Sequence, residues 1–575
     1  MNRNNETHFN QIPQTHISRS RFKRDQDIKL TFDAGKLIPF YVDEVLPGDT
    51  FSVDTAGIVR MTTPIFPVMD NCYLDLYYFF VPNRIVWEHW REFMGENTTG
   101  VWRQAKKYSV PKIKLAGQKW RARGAVTDAG KGVTPYEGSV LDYMGIPTKI
   151  NKETGLGYNE ISINALPVRG YVKIWNEWFR DQNLTDPATE DKGDGIRRTY
   201  AIDKTGATQT QLNETAIAGM ETLPVAKFHD YFTSALPEPQ KGPAVNIALS
   251  GNARVEWSWT PEELKELGIM SGTGDYLTPV SGNTLASRAT AESDGKSRVL
   301  FGHTGTGTSV FAPMEARLDN VNAATVNELR QAFAVQHYYE ALARGGSRYR
   351  EIIRSMFGTL ISDKTVQIPE YLGGGRYMIN VSQVVQTSAS TENSPQGNAS
   401  AISVTPFNEN SFTKSFEEHG FVIGVCCVRH DHTYQQGIER FWNREDTLDY
   451  YFPQFANLGE QAIKRKEIYT SATQSSTEDE KVFGYQEAWA EYRMKPNRVC
   501  GKFRSNAEGT LDSWHYADNY SATPYLSDEW IAEGKEEIQR TLAVQNEPQF
   551  IADILVKNTT TRPMPLYSVP GLEKL

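Results

Sequence analysis

An all-β core with long excursions between its strands is predicted by three observations. Short apolar-alternating runs are cut by Pro and Gly, aromatic residues are abundant (12 Trp, 27 Tyr and 26 Phe), and strand-like runs recur from one end of the 575-residue chain to the other. Such an aromatic load excludes a disordered chain. On a prior of ~150 residues per domain the length allows several domains, but large all-β folds with insertions exceed that size.

Taken in order, residues 1–25 are polar and basic and lack both helical and strand periodicity, which predicts an extended N-terminal arm ahead of one large domain, 26–575. Ile28–Phe32 and Lys36–Val42 read as strands, and Leu46-Pro47-Gly48-Asp49 as a turn. Cys72–Val81 is the clearest strand. Leu74, Leu76, Tyr78 and Phe80 point one way and Tyr73, Asp75, Tyr77 and Phe79 the other, so both faces are expected to be covered. Pro82 ends it, and Asn83 is expected to cap a helix through Phe93 bearing Trp87, Trp90 and Met94. A second aromatic helix is predicted over Tyr171–Arg180. In 322–358, Thr325 and Glu328 fit a capping box, Gly345-Gly346 stops the helix, and a shorter helix runs to Phe357. Strands resume at Arg376–Val385, Phe421–Val428 and Gln549–Val556.

Met270–Ser309 has its own composition: Gly, Ser and Thr make up half of it, which predicts an exposed excursion of turns and short strands around Val299-Leu300-Phe301. Thr387–Ser400, rich in Ser, Thr and Asn, is expected to be a mobile loop. No apolar run approaches the ~20 residues needed to span a bilayer, and Met1–Gln14 is too polar for a signal-peptide core, so synthesis and folding in cytoplasm are expected. Cys72, Cys426, Cys427 and Cys500 are too few and too irregular for a disulfide framework or a four-thiolate zinc site and read as reduced, buried thiols.

Catalytic motifs fail one by one. Gly295-Lys296-Ser297 has Thr290 where a phosphate loop needs its first Gly, and Gly345-Gly346-Ser347-Arg348-Tyr349 lacks the closing Gly of a nucleophile elbow. His430-Asp431-His432 puts two imidazoles on one strand face, but spacing supplies no third ligand, and a polar strand end is the reading. No catalytic residue, metal or cofactor is therefore assigned. Paired carboxylates of a glycosidase leave no local spacing, so a monomeric β-rich glycoside hydrolase or carbohydrate-binding protein stays as the alternative.

Net charge is −9, from 61 Lys and Arg against 70 Asp and Glu, which argues against a surface that grips nucleic acid everywhere. The arm is the exception. Arg3, Arg19, Arg21, Lys23 and Arg24 face only Glu6 within the first 24 residues, and Phe22 lies among the charges. Those are the residue types that neutralise phosphates and stack a base; a solvated basic tail is the other reading. Arg344, Arg348, Arg350 and Arg354 form a second cationic group, for which pairing with Glu340 and Glu351 is expected.

Several segments carry a resemblance. They are Ser18-Arg19-Ser20-Arg21-Phe22; Asp70-Asn71-Cys72-Tyr73-Leu74-Asp75 followed by Phe79-Phe80-Val81-Pro82-Asn83-Arg84; Ala165-Leu166-Pro167-Val168-Arg169-Gly170-Tyr171; and Phe228-His229-Asp230-Tyr231-Phe232 with Pro239-Gln240-Lys241-Gly242. Leu329-Arg330-Gln331-Ala332-Phe333 and Arg562-Pro563-Met564-Pro565 complete the set. In this order they resemble the major capsid proteins of gokushoviruses, small icosahedral single-stranded DNA bacteriophages of the Microviridae, and the likeness covers nearly the whole chain.

The resemblance implies an eight-stranded antiparallel jelly roll with large interstrand insertions containing several helices. It implies about sixty copies of the chain in a T=1 shell around a circular single-stranded DNA genome. It also implies a virion location after assembly in the bacterial cytoplasm. The implied partners are a small basic internal DNA-binding protein, a minor capsid or pilot protein, a scaffold protein and a bacterial surface receptor. Residues 1–25 are then expected to face the interior. Residues 244–320 are expected to be a variable insertion near the three-fold axes, with Gly272, Gly274, Tyr276, Gly302, His303, Gly305 and Gly307 at a tip that either contacts a receptor or only decorates the shell.

Overall fold

The structure, a computed structural model, describes residues 18–97, 107–115, 135–148, 161–194, 221–243, 245, 254–257, 284–291, 297–304, 310–312, 314–317, 326–385, 399–470 and 476–568. The strands that build the main core are β1 (Ser20–Lys23), β2 (Gln26–Phe32), β3 (Ile38–Val45), β4 (Thr50–Met61), β5 (Cys72–Pro82), β6 (Glu370–Met378), β7 (Thr405–Ser415), β8 (Gly420–His430) and β9 (Phe550–Arg562). They form two antiparallel sheets. The first has the order β1-β9-β4-β7, with β2 also paired to β9, and the second the order β6-β5-β8-β3. From β2 to β5 and from β6 to β9 successive strands switch sheets, and the chain's last strand lies between its first ones and β4.

Alternation explains which face goes inward. Along β9, Phe550, Ala552, Ile554 and Val556 are buried while Ile551 and Asp553 face out, in register with Met61, Val59, Gly57 and Thr55 of β4. These side chains meet Leu74, Leu76, Tyr78, Phe80, Val422 and Cys426 of the second sheet in one core. Each fully buried Phe, Leu or Ile contributes ~1.5–3 kcal/mol relative to exposure. The other face of the second sheet is covered as well: Phe79, Val81, Ile423 and Val425 pack against Trp87, Tyr171, Val172 and Trp175. The expectation that Cys72–Val81 is covered on both sides thus holds, and the same is true of β8. Between the sheets, Thr55 Oγ1 lies 2.7 Å from Tyr78 Oη and 2.8 Å from Ser411 Oγ. Where β6 passes close over β7, a Cβ on Gly373 would fall 2.0 Å from the Ser411 carbonyl oxygen, so only glycine fits.

The turn after β3 forms as read, with Gly48 at φ +90° and the Asp49 carboxylate accepting from the Leu46 N–H at 2.9 Å. Other elements differ from the sequence reading. The helix expected over Asn83–Phe93 is two short ones, Asn83–Val86 and Trp90–Phe93. Trp87 turns out of helical geometry (φ −146°, ψ 118°) to bury its ring, and its indole N–H donates to Asp194 Oδ1 at 2.7 Å. Asn83 does not cap; the cap position is Pro82. The Tyr171–Arg180 helix starts earlier, at Leu166, and widens into a π-helical turn over Trp175–Phe179 that buries Trp175 and Phe179. Arg376–Val385 is split by Ile379, whose side chain is buried and whose N–H donates to the Cys72 carbonyl.

The chain divides into two compact units, Met1–Pro239 with Leu342–Leu575, and Gln240–Ala341. Within the second, Arg254–Trp257 pairs with Met314–Arg317, and Thr284–Ala291, Ser297–Thr304 and Val310–Ala312 form an antiparallel meander. Short strands were the expectation there. The helix Val326–Arg344 begins directly after Thr325, whose proposed cap lies outside the described residues. Of the loop Thr387–Ser400, Ala399 and Ser400 belong to a strand paired with Val381–Val385, and the rest lies outside the described residues. Cys72, Cys426 and Cys427 are buried free thiols, and burial pushes Cys427 up to about 12. Cys500, read as buried, is exposed, because it sits in an irregular surface stretch between short 3-10 turns.

Candidate functional site

The basic segment is not a free arm throughout. Ser20–Lys23 is strand β1, paired antiparallel with Thr559–Arg562 of β9. The strand period puts Arg21 and Lys23 on the exposed side and Phe22 on the other, opposite buried Thr560, where it is half-buried and turned from solvent. Arg24 is held by a bidentate ion pair, its guanidinium donating to both oxygens of Asp43 at 2.7 and 2.6 Å, and its N–H donates to the Asn558 carbonyl. Lys23 lies 3.1 Å from Asp25 at the surface. Arg19 and Arg21 are exposed and form no ion pair among the described residues, whereas Arg3 lies outside them. The predicted cluster is thus divided: Arg24 and Phe22 anchor the segment to the sheet, and Arg19, Arg21 and Lys23 face solvent. Sequence reasoning missed this strand because its alternation spans only four residues.

Of the insertion residues, Gly302 and His303 are on the central strand of the meander, in register with Phe311 and Val310 on one side and Ala286 and Leu285 on the other. Gly272, Gly274, Tyr276, Gly305 and Gly307 lie outside the described residues.

Three of the four arginines of the second cationic group are paired, though not as expected, and Arg354 is exposed. Arg348 does pair with Glu351, at 3.1 Å, but Arg344 pairs with Glu460 and Arg350 with Asp363 at 3.0 Å, while Glu340 accepts from Gln336 instead. A cavity of about 940 Å³ lies beside them, walled by Trp178, Phe228 and Tyr371 and by Arg348, Arg376 and Arg429. Its cations are also committed. Arg376 and Arg429 both donate to Asp75, whose side chain is buried, and stack over Phe228 at 4.4 and 4.3 Å. This arrangement braces the sheet and leaves one net positive charge among the three groups.

What the sequence did not signal is a set of apolar side chains left uncovered. The helix Tyr349–Phe357 buries none of its residues although it is strongly amphipathic, and Phe357 and Leu360 are 73% and 76% exposed. Along 441–452, Phe441, Trp442, Leu448, Tyr450, Tyr451 and Phe452 are all exposed, Trp442 to 71%. Runs of this kind mark protein contact surfaces. The capsid protein (F protein) family matches residues 10–572. This chain belongs to that family. The capsid protein VP1 of Chlamydia phage 1 is 37% identical, over 99% of this chain and 98% of the relative. The capsid proteins VP1 of Bdellovibrio phage phiMH2K and Spiroplasma virus 4 are 38% and 35% identical over the same shares. For a member of a capsid protein family the role is structural, in the virion. No helix among the described residues is long and apolar enough to cross a membrane.

Proposed function

We propose that about sixty copies of this capsid protein close into a T=1 icosahedral shell around a circular single-stranded DNA genome. The observation that carries the proposal is the pair of uncovered apolar stretches, Tyr349–Leu360 and 441–452, which a solitary protein has no use for and a neighbouring copy covers. The two four-stranded orders, β2-β9-β4-β7 and β3-β8-β5-β6, support reading the core as an eight-stranded jelly roll with β1 as an extension of β2 along the same edge. Within the shell, Arg3, Arg19, Arg21 and Lys23 face the genome and contribute a small electrostatic term, while the small basic internal protein supplies most of the neutralisation. Residues 244–320 project outward and contact a bacterial surface receptor. The minor capsid or pilot protein and a scaffold protein complete the virion, and assembly takes place in the host cytoplasm.

The test is sedimentation and electron microscopy of the chain expressed alone and together with the neighbouring phage genes. Uniform spherical particles are expected. A monomer under every condition overturns the proposal and turns attention to facing carboxylates of a glycosidase.

A further inference from the structure

A strand end, a loop and a helix border converge at one buried point. His430 ends β8 and His432 lies two residues beyond it, with both imidazoles buried and their ring centroids 4.3 Å apart. Asp518 is brought to them because its N–H donates to the Thr433 carbonyl at 2.9 Å, and Glu533 because its N–H donates to the Val225 carbonyl at 2.8 Å. Both carboxylates are buried as well. The ligand-bearing atoms of His430, His432 and Asp518 all lie within 4.8 Å of one another.

The orientation of each group is set by its second contact. Asp518 Oδ2 accepts from Tyr520 Oη at 2.7 Å and lies 3.7 Å from Lys227 Nζ, which turns Oδ1 toward the imidazoles, 2.9 Å from His432 Nδ1. Glu533 spans the two rings, with Oε2 3.1 Å from His432 Nε2 and Oε1 2.5 Å from His430 Nδ1. His430 is nevertheless left unsatisfied: neither of its ring nitrogens makes a hydrogen bond of acceptable geometry. A fully buried imidazole whose Nε2 meets no hydrogen-bonding group is costly unless something else engages that nitrogen.

We propose that this cluster binds one first-row divalent metal ion, zinc by the chemistry of the set, through His430 Nε2, His432 Nδ1 and Asp518 Oδ1. Glu533 is then the carboxylate that accepts from the remaining N–H of each imidazole and fixes both ring orientations, the arrangement by which carboxylates tune histidine ligands. Two imidazole nitrogens and one carboxylate suit zinc and its neighbours. They do not suit magnesium or calcium, which take six or more oxygens. With neutral imidazoles, the two carboxylates and the Lys227 ammonium leave one negative charge facing the ion. The ion would tie β8 to the segments around Asp518 and Glu533, which are 86 and 101 residues from His432 in the chain. Its role would be a structural clip between these buried segments, where Tyr516, also buried, packs edge-on against His430 at 5.6 Å.

The experiment is a titration of the full chain, stripped with chelator and dialysed, with cobalt(II) followed by visible absorption. The expected result is a d–d band that saturates at one ion per chain, is abolished by zinc and not by magnesium, and is accompanied by a higher thermal midpoint. Asp518→Asn and His430→Gln are expected to weaken binding by about tenfold or more. Absence of a saturable band in the wild-type chain overturns the proposal whatever the variants do. So does a band unchanged in both variants, since the ion would then sit elsewhere. If neither variant folds, the wild-type titration decides alone.

Discussion

His515 shows how one side chain sets a pH limit. It is buried, with Nε2 2.6 Å from the Phe503 carbonyl oxygen and Nδ1 3.1 Å from the Ala517 N–H. The ring is satisfied only when neutral, donating at Nε2 and accepting at Nδ1. Burial first, and the nearby Arg540 charge, hold its affinity for a proton below the ordinary value of 6.5. As pH falls below that value, the unfolded chain takes up a proton that the folded chain refuses. The stability contributed by neutral His515 is therefore complete above pH 6.5 and lost progressively below it. Wild-type chain is expected to lose more thermal midpoint than His515→Gln between about pH 7.5 and about pH 5.5. Equal losses would show that the imidazole titrates normally.

At the scale of elements, β1 separates two roles that the sequence merges. A chain lacking residues 1–17 keeps β1 and the Arg24–Asp43 pair and is expected to melt with the wild type. Removal of 1–24 strips the pairing along Thr559–Arg562 and exposes a sheet edge, so a lower midpoint and aggregation are expected. Identical melting of both truncations would mean that β1 adds nothing to the fold. The same contrast explains what was legible beforehand. Cys72–Val81 is readable because β-forming apolar and aromatic residues fill both of its faces, and Gln549–Val556 because buried apolar residues recur at every second position. β4 and β7 are not, since Asp54, Gly57, Asn408, Glu409 and Asn410 interrupt the pattern in strands with one wet face. The spacing of Trp87 fits a helix, but burial of its large ring outweighs local propensity. The grouping of His430 and His432 with Asp518 and Glu533 left no local trace, because backbone hydrogen bonds to Thr433 and Val225 assemble it across distant segments.

For the whole molecule, the surface outside the core decides whether a folded chain becomes a shell. Trp442→Asp and Phe357→Asp each place a charge on an exposed apolar side chain, so the monomer is expected to melt within a few degrees of wild type while particle yield falls at least about tenfold. Normal particles from both variants would move the contact surfaces elsewhere; a collapsed monomer midpoint would show the residues serve the fold. The resemblance to capsid proteins was readable from motifs along nearly the whole chain, and the family match bears it out. The apolar stretches were not readable as surfaces, because sequence does not say which side chains the chain itself leaves uncovered.

The second sheet is covered on both faces, and β8 has a paired strand along each edge. No small local opening brings water to its amides, so in heavy water the N–H groups of Val422–Val428 are expected to exchange only when the whole core opens, as the slowest group in the chain. Exchange measured by mass spectrometry on free chain and on particles then turns this strand into a clock. The ratio of its rates in the two states reports how far neighbours in the shell suppress complete opening of a single subunit, and equal rates would mean that assembly leaves the subunit's own stability untouched.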